Sequence, residues 1–560
     1  MQNPVLTLVY QYEGKRLTSH RTENEHYHID FTFTDGALKA KLTAKTAILL
    51  KSFKIRFEHD FGADDVFYGN GYQAWTTSRE YRVGDRMKDM IPLAATRPLK
   101  ELAGVSSDWR FVKFPEKAGE FFSHTYTYIR RGDDLLFLGS LSEATGFTVI
   151  FADMNRGALT VCKDVDGAYA AGEYDLLDAV ILRGGYDEVF DAYFKAMGLP
   201  KPRIDHMSGY TSWYNYFQKI DEDIILRDLN ALDRVKDSVS IFQVDDGYET
   251  CVGDWLDMNA AKFPHGMKYI ADKIHEKGYM AGIWLAPFNL QRDSRTYKAH
   301  PDWVIKGPNG KPLLGCVGWG GAYTMDIYNP EARAYMKRFF DVVLNSWGYD
   351  MVKLDFLYSQ CMYPRGGKSR GQIMREAMAF LRECCGDKLI LGCGVHHGAS
   401  FGYIDACRIS CDVDLNYGGR FYNKLHVNNE VPSAQNAITN AIFRRHLDGR
   451  AFCNDPDVFF LRYSNLTFTM EQKLLLAGIN HIFGNVLFVS DNAEEYTDED
   501  IEVVKKAFSK SDVKVLSAGY VSDDDIEIRL LKDGAEQTLA FNMTTGRSNI
   551  AEILGFPVRG

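Results

Sequence analysis

The segment "NPEARAYMKRFFDVVLNSWGYDMVKLDFLYSQ", residues 329 to 360, decides how the middle of this chain is read. Its first part carries apolar residues at helical spacing behind an Asn-Pro start, and its second part is a short apolar strand that ends in charge. Side chains alternate across a strand, so Lys353 and Asp355 share one face while Val352, Leu354 and Phe356 share the other. An ion pair kept inside a sheet for stability alone gains little, because desolvation offsets the Coulomb attraction. The pair therefore counts as a candidate for function.

Working outward, the same strand-then-helix alternation recurs. Strand-like "SVSIFQVDD", "YMAGIWLAPF", "KLILGCG" and "DACRISCD" alternate with helical "DEDIILRDLNALDRV" and "HGMKYIADKIHEKG". Such β-then-α repetition over this length predicts a (β/α)8 barrel, here residues 206–484. Residues 1–200 hold short alternating runs such as "LKAKLTAKT" and "FFSHTYTYIRR", which predict an N-terminal antiparallel β-sandwich. "GLPKPRID" reads as the linker, and "DIEIRLLKDG" with "QTLAFNMTT" predicts a small C-terminal antiparallel β domain over 485–560.

With 560 residues, 46% hydrophobic and 25% charged, the chain is globular and multidomain. A net charge of −10 without a basic tract argues against a nucleic-acid partner. No run reaches the roughly 18 apolar residues of a membrane span and no signal segment opens the chain, so a cytoplasmic protein off the membrane is expected. The ten cysteines are scattered without CxxC pairs and read as reduced thiols. "VHHG" at 395 to 398 offers His396 and His397 only as neighbours, which is poor metal-ligand spacing, so no metal is expected.

Barrel chemistry sits at the C-terminal ends of the strands. The charged residues there are Asp245 and Asp246, Asp355, Asp412, and Asp455 with Asp457. Each is also a plausible helix N-cap, the commonest job of an Asp at such a loop. Lys353 beside Asp355 favours its ionised form, which suits a nucleophile. A carboxyl at Asp412 facing that charge tends to keep its proton, which suits a general acid. Two carboxyls in those states are the equipment of glycoside hydrolysis. A phosphate cradle is not supported, because "GWGGAY" at 318 to 323 lacks the following Lys and Ser or Thr. A carbohydrate-binding scaffold without catalysis is the non-enzyme alternative.

Nine segments in order resemble glycoside hydrolase family 36, the bacterial retaining α-galactosidases of clan D. They include "GNGYQAW" (69–75), "SGYTSWYNYF" (208–217), "IFQVDDGYETCVGDWL" (241–256), "GIWLAPF" (282–288), "KLDF" (353–356), "ILGCG" (390–394), "CRISCD" (407–412) and "NDPDVFFLR" (454–462). The resemblance implies a retaining exo-α-galactosidase that works by double displacement without a cofactor. It implies Asp355 as nucleophile and Asp412 as acid/base, with Asp245 and Asp246 binding the galactose O4 and O6 hydroxyls. It further implies Trp284 as an aromatic wall, Lys353 and Arg408 as hydroxyl-binding cations, Cys393 near the sugar 2-position, and Trp213, Tyr214 and Trp75 as site aromatics. The expected partner is a small-molecule α-galactoside, and the chain is expected as monomer or homo-oligomer. Two loops depart from the family pattern: "CDVDLNYGG" after Asp412 and "VHHGASFGYID" after Cys393. Both border the 2-position or the leaving group, so an N-acetylgalactosaminide or other modified galactoside is the alternative substrate.

Overall fold

The computed structural model describes residues 1–87, 105, 107–419 and 432–557. Near the N-terminus two antiparallel sheets of seven strands each lie over one apolar core. Alternation makes that core. In Ala37–Ala44, Leu38, Ala40 and Leu42 turn inward, while Lys39 and Lys41 turn out to Asp178 and Glu173 at 3.0 and 2.6 Å. Leu38 and Leu42 of one sheet share the core with Leu8, Ile55 and Phe57 of the other, which is sandwich packing.

The central sheet is parallel and curls on itself. Its strands are β1 (Met207–Thr211), β2 (Ile241–Val244), β3 (Met280–Leu285), β4 (Met351–Leu354), β5 (Leu389–Gly392), β6 (Ala406–Arg408), β7 (Cys453–Asp455 with Val458–Phe459) and β8 (Val486–Val489). β7 is interrupted at Pro456 and Asp457, the latter in the left-handed region at φ 76°. Its first piece pairs with β6 and its second with β8, and Asn485 N–H donates to the Asn454 carbonyl at 3.1 Å across the seam. The strands are buried on both faces, as a barrel wrapped by helices requires. β8 lies beyond 484, where the sequence reading ends the barrel: the apolar run Val486–Val489 pairs with β1, so the barrel sheet continues past that boundary. A three-stranded antiparallel sheet near the C-terminus spans Lys514–Tyr520, Asp525–Lys532 and Ala535–Asn542.

Local chemistry fixes the helices between the strands. In the opening segment Asn329 caps helix Pro330–Asp341, its side chain accepting from the N–H groups of Glu331 and Ala332. Ser369 and Gln372 form a capping box at the start of Arg370–Cys385. Between β3 and β4 the chain forms a small antiparallel sheet of Asn289–Gln291, Leu314–Cys316 and Ala322–Thr324. No helix among the described residues is long and apolar enough to cross a membrane.

Candidate active site

Asp245 and Asp246 follow β2 and Asp355 follows β4; these strands run parallel on either side of β3, so all three stand at the same end of the barrel. The Lys353 ammonium lies 2.7 Å from Asp245 Oδ2, an oxygen that also accepts from Gln243 Nε2 at 2.9 Å. This corrects the pairing read from the sequence. Residues two apart on one strand share a face, yet the longer lysine reaches across to β2 and makes its salt bridge there. Burial is the largest influence and opposes the lysine's charge, but Asp245, Cys393 and Asp355 together more than offset it and lift Lys353 above its usual range.

Asp355 is held by its surroundings more than by the lysine. Its Oδ1 accepts the Phe356 N–H at 2.7 Å and its Oδ2 accepts from Trp284 Nε1 at 3.3 Å. Cys393 lies nearby, its thiol raised first by burial and then by the Asp355 charge. Burial raises the Asp355 carboxyl; Lys353 pulls it down through space and Asp412 pushes it up. The expectation that Lys353 alone keeps Asp355 ionised is therefore too simple. Burial is the largest influence, and the lysine opposes it. Phe356 adopts a left-handed conformation, φ 55°, unusual for a bulky residue and of a kind that gathers at working sites.

Asp246 has other partners. Gln218 Nε2 donates to both its oxygens at 3.1 and 2.9 Å, and Trp319 Nε1 donates to Oδ2 at 2.8 Å. Burial raises its carboxyl, while the hydrogen bonds from Glu249, Trp319 and Gln218 oppose the rise. Asp412 stands at the open side, its side chain 39% exposed, with Oδ1 3.0 Å from Arg408 Nη2. The same nitrogen lies 3.1 Å from Oδ2 of the buried Asp457. That oxygen also accepts from the Tyr214 hydroxyl and from Val413 N–H.

Aromatic rings line the space between these carboxyls. Trp284 meets Trp319 at 5.9 Å between ring centres, Trp319 meets Phe356 at 5.1 Å, and Phe356 meets Trp75 at 5.8 Å. Trp75 comes from the sandwich on the loop after Val66–Gly69. Arg444, fully buried, ties that loop down: its guanidinium donates to the carbonyls of Gln73, Ala74 and Thr76 at 2.7, 3.0 and 3.1 Å. Trp213 sits farther out, its ring edge-on to the exposed Phe217 at 5.2 Å.

The structure thus gathers Asp245, Asp246, Trp284, Lys353, Asp355, Cys393, Arg408, Asp412, Tyr214 and Trp75. Sequence reasoning passed over Gln218, Trp319 and Arg444. Trp319 was visible only within "GWGGAY", which was weighed as a phosphate cradle. A tryptophan between glycines, in the left-handed region at φ 53°, was the available signal. His396 and His397 point elsewhere. His396 accepts from Ala399 N–H as a helix cap and stacks on Phe147 of the sandwich at 4.3 Å, while His397 Nε2 hydrogen-bonds the Arg408 carbonyl at 3.2 Å. Among the described residues no group of three or more His, Cys, Asp and Glu is placed to hold a metal ion.

The Melibiase family profile matches residues 212–378, which contain Asp245, Asp246 and Asp355 but not Asp412. A Flavonifractor plautii protein described as an A type blood α-D-galactosamine galactosaminidase is 31% identical over 152 residues, 25% of this chain and 14% of its own. α-Galactosidase Mel36A of Lactobacillus acidophilus is 30% identical over 124 residues, 21% of this chain and 16% of its own. These alignments span well under a fifth of the curated relatives' lengths. The structures agree over far more. An α-galactosidase of Thermus thermophilus, solved with p-nitrophenyl α-D-galactopyranoside, superposes with a TM-score of 0.69 at 24% identity over 95% of this chain and 98% of its own. The complex of that enzyme with stachyose gives 0.69 at 25% identity over 90% and 100%. AgaA of Geobacillus stearothermophilus, a GH36 α-galactosidase, gives 0.61 at 11% identity over 95% and 80%. With the Melibiase match on its barrel and this architecture along nearly its whole length, the chain has the fold of the glycoside hydrolase family 36 α-galactosidases.

Proposed function

We propose that the protein is a retaining exo-α-galactosidase that cleaves terminal α-linked galactose from oligosaccharides. The observation that carries the reading is the meeting of Asp355 and Asp412 at the barrel mouth, each within the other's field, beside a glycone wall of Asp245, Asp246 and tryptophans. In this reading Asp355 attacks the anomeric carbon from the β face, guided by the Phe356 and Trp284 donors that fix its two oxygens. Asp412, the more exposed carboxyl, protonates the departing oxygen and then takes a proton from the water that hydrolyses the β-glycosyl-enzyme. Neighbouring O4 and O6 hydroxyls of galactose donate to the Asp245 and Asp246 oxygens in charge-assisted bonds, and an equatorial O4 leaves an acceptor unpaired. Cytoplasmic placement belongs to the same proposal and is supported by ten cysteines present as free thiols.

A second substrate class is favoured by one specific likeness, the Flavonifractor protein, whose description names a galactosamine substrate. Both classes are read by one experiment. The protein is given 4-nitrophenyl α-glycosides of galactose, N-acetylgalactosamine, galactosamine, glucose and mannose, and the first-formed anomer is followed by proton NMR. The expected result is fastest release from the galactoside with α-galactose as the initial product. Preference for a 2-amino or 2-acetamido sugar moves the assignment to the alternative. Release from none of the panel returns the binding-scaffold hypothesis.

A further inference from the structure

Trp319 stands at the tip of the hairpin that joins Leu314–Cys316 to Ala322–Thr324, two strands whose last pair is Cys316 with Ala322. The tip is closed by Gly321 N–H, which donates to the Gly318 carbonyl at 2.8 Å, and tied at its base by Arg292 N–H, which donates to the Gly321 carbonyl at 3.1 Å. Val317 beside it is 49% exposed, yet the tryptophan itself is half-buried. Hairpin tips ordinarily carry small or polar residues, whereas this one carries the largest side chain in the left-handed region at φ 53°. Something has to hold it there.

The holders are the site's own parts. The indole Nε1 donates to Asp246 Oδ2 at 2.8 Å, and the ring meets Trp284 and Phe356 at 5.9 and 5.1 Å between centres, the two residues whose N–H groups fix Asp355. One side chain thus spans from the aspartate after β2 to the holders of the carboxyl after β4. Hydrogen-bond geometry then sets the room beside Asp246. A sugar hydroxyl that donates to this buried carboxylate stands about 2.7 Å from one of its oxygens. Gln218 Nε2 already faces both oxygens at 3.1 and 2.9 Å and the indole covers Oδ2, so the hydroxyl enters against the edge of the ring. Its hydrogen points at the carboxylate and needs no further space; a methyl group on the same oxygen meets the indole.

We propose that Trp319 is a specificity-determining residue: it closes the glycone pocket beside Asp246, so that the galactose hydroxyl bound there must carry no substituent. This inference rests on the proposed function and names a residue that confines it to unsubstituted terminal galactose. Asp246 loses its donor equally when that hydroxyl is deleted and when it is methylated. The added bulk of the ether is what the wall reads.

The test compares kcat/KM of wild type and Trp319→Gly on 4-nitrophenyl α-galactoside, on its 4-deoxy and 6-deoxy analogues, and on its 4-O-methyl and 6-O-methyl ethers. Glycine takes the left-handed backbone without strain, so the variant removes the ring and leaves the turn. At the position that faces Asp246, wild type is expected to act on the ether about tenfold or more slowly than on the deoxy sugar, and in Trp319→Gly that gap is expected to fall at least about fivefold. A merely structural role lowers the rate on all five substrates together and leaves the gap in place. A gap unchanged at both positions, or absent from wild type at both, overturns the inference. Trp319→Phe keeps a ring without its N–H and is expected to keep the gap while losing rate on the galactoside; a gap lost as fully as in Trp319→Gly contradicts closure by the ring. Thermal unfolding confirms that the variants are folded, and should Trp319→Gly fail to fold, Trp319→Asn, which also tolerates this backbone, makes the same comparison. Wild type that turns over not even the unmodified galactoside sinks the proposed function. Turnover of that substrate with an unmoved gap sinks this inference alone.

Discussion

Asp245 shows how one residue is committed twice. Its Oδ2 already holds the Lys353 ammonium and the Gln243 amide, so under the proposed function a sugar hydroxyl meets a carboxylate whose position is fixed before substrate arrives. Preorganised acceptors of this kind spend no energy on reorientation in the transition state. Replacing Asp245 by Asn removes the charge that meets the hydroxyl and leaves a buried lysine without its counter-ion. The loss in kcat/KM on the best α-galactoside is expected to correspond to about 2–4 kcal/mol. Near-normal kcat/KM by steady-state assay contradicts the placement of Asp245 in the glycone site. The strand parity that singled out Lys353 and Asp355 was legible in the sequence; the partner of the lysine was not. Parity tells which face a side chain is on, but a four-carbon stem reaches past the adjacent β3 to Asp245 at the end of β2, and strand order is a property of the closed barrel.

At the scale of the element, the loop from Gly69 to Thr76 carries an aromatic ring from one fold unit into the site of another. Arg444 sets that loop through main-chain carbonyls, so its hold does not depend on the side chains of Gln73, Ala74 or Thr76. Gly71 is where the loop has no space to give: a Cβ there would lie 2.4 Å from Thr76 Cβ and 3.1 Å from an Arg444 nitrogen. Gly71→Ala is therefore expected to shift Trp75, lowering kcat/KM on the order of a hundredfold while leaving the barrel folded. Wild-type kinetics for this variant count against a working role for the loop. The motif was legible as a family segment, but its anchoring was hidden, because Arg444 is about 370 residues away in sequence and its partners are backbone atoms. Asp457 was hidden for a related reason. An Asp after a barrel strand reads as a helix cap, and only the break in β7 turns it toward Arg408.

On the scale of the whole molecule, the junction between sandwich and barrel is built partly from neutral histidines. His396 stacks on Phe147 and faces His124 at 5.7 Å, and burial holds both well below the ordinary imidazole range, His124 at about 3. For a base whose folded pKa is depressed, the unfolded chain takes up the proton first. Stability is then complete above the unfolded value near 6.5 and is lost as pH falls below it, by up to about 1.4 kcal/mol per pH unit for each such group. His396→Asn keeps a helix cap and removes one of these groups. The gap in Tm between wild type and this variant is expected to narrow from pH 7 to pH 5, since only wild type pays for protonating residue 396. A gap that stays constant across that range contradicts a neutral buried His396. Barrel, sandwich and C-terminal sheet were all legible from periodicity, because long runs of one period survive any tertiary detail. The end of the barrel was not, since Val486–Val489 is a four-residue apolar strand that the same period assigns equally to either neighbour.

The central claim is that Asp355 and Asp412 divide a double displacement between them, and azide rescue tests it most directly. Asp355→Gly has no nucleophile for any leaving group, so azide is expected to attack from the vacant β face and give the β-galactosyl azide. Asp412→Ala is expected to form the β-glycosyl-enzyme from 2,4-dinitrophenyl α-galactoside and then stall, until azide releases it as the α-galactosyl azide. Proton NMR distinguishes the two anomers. Opposite anomers from the two variants are the predicted result; the same anomer from both, or substantial activity of Asp355→Gly without azide, contradicts the account.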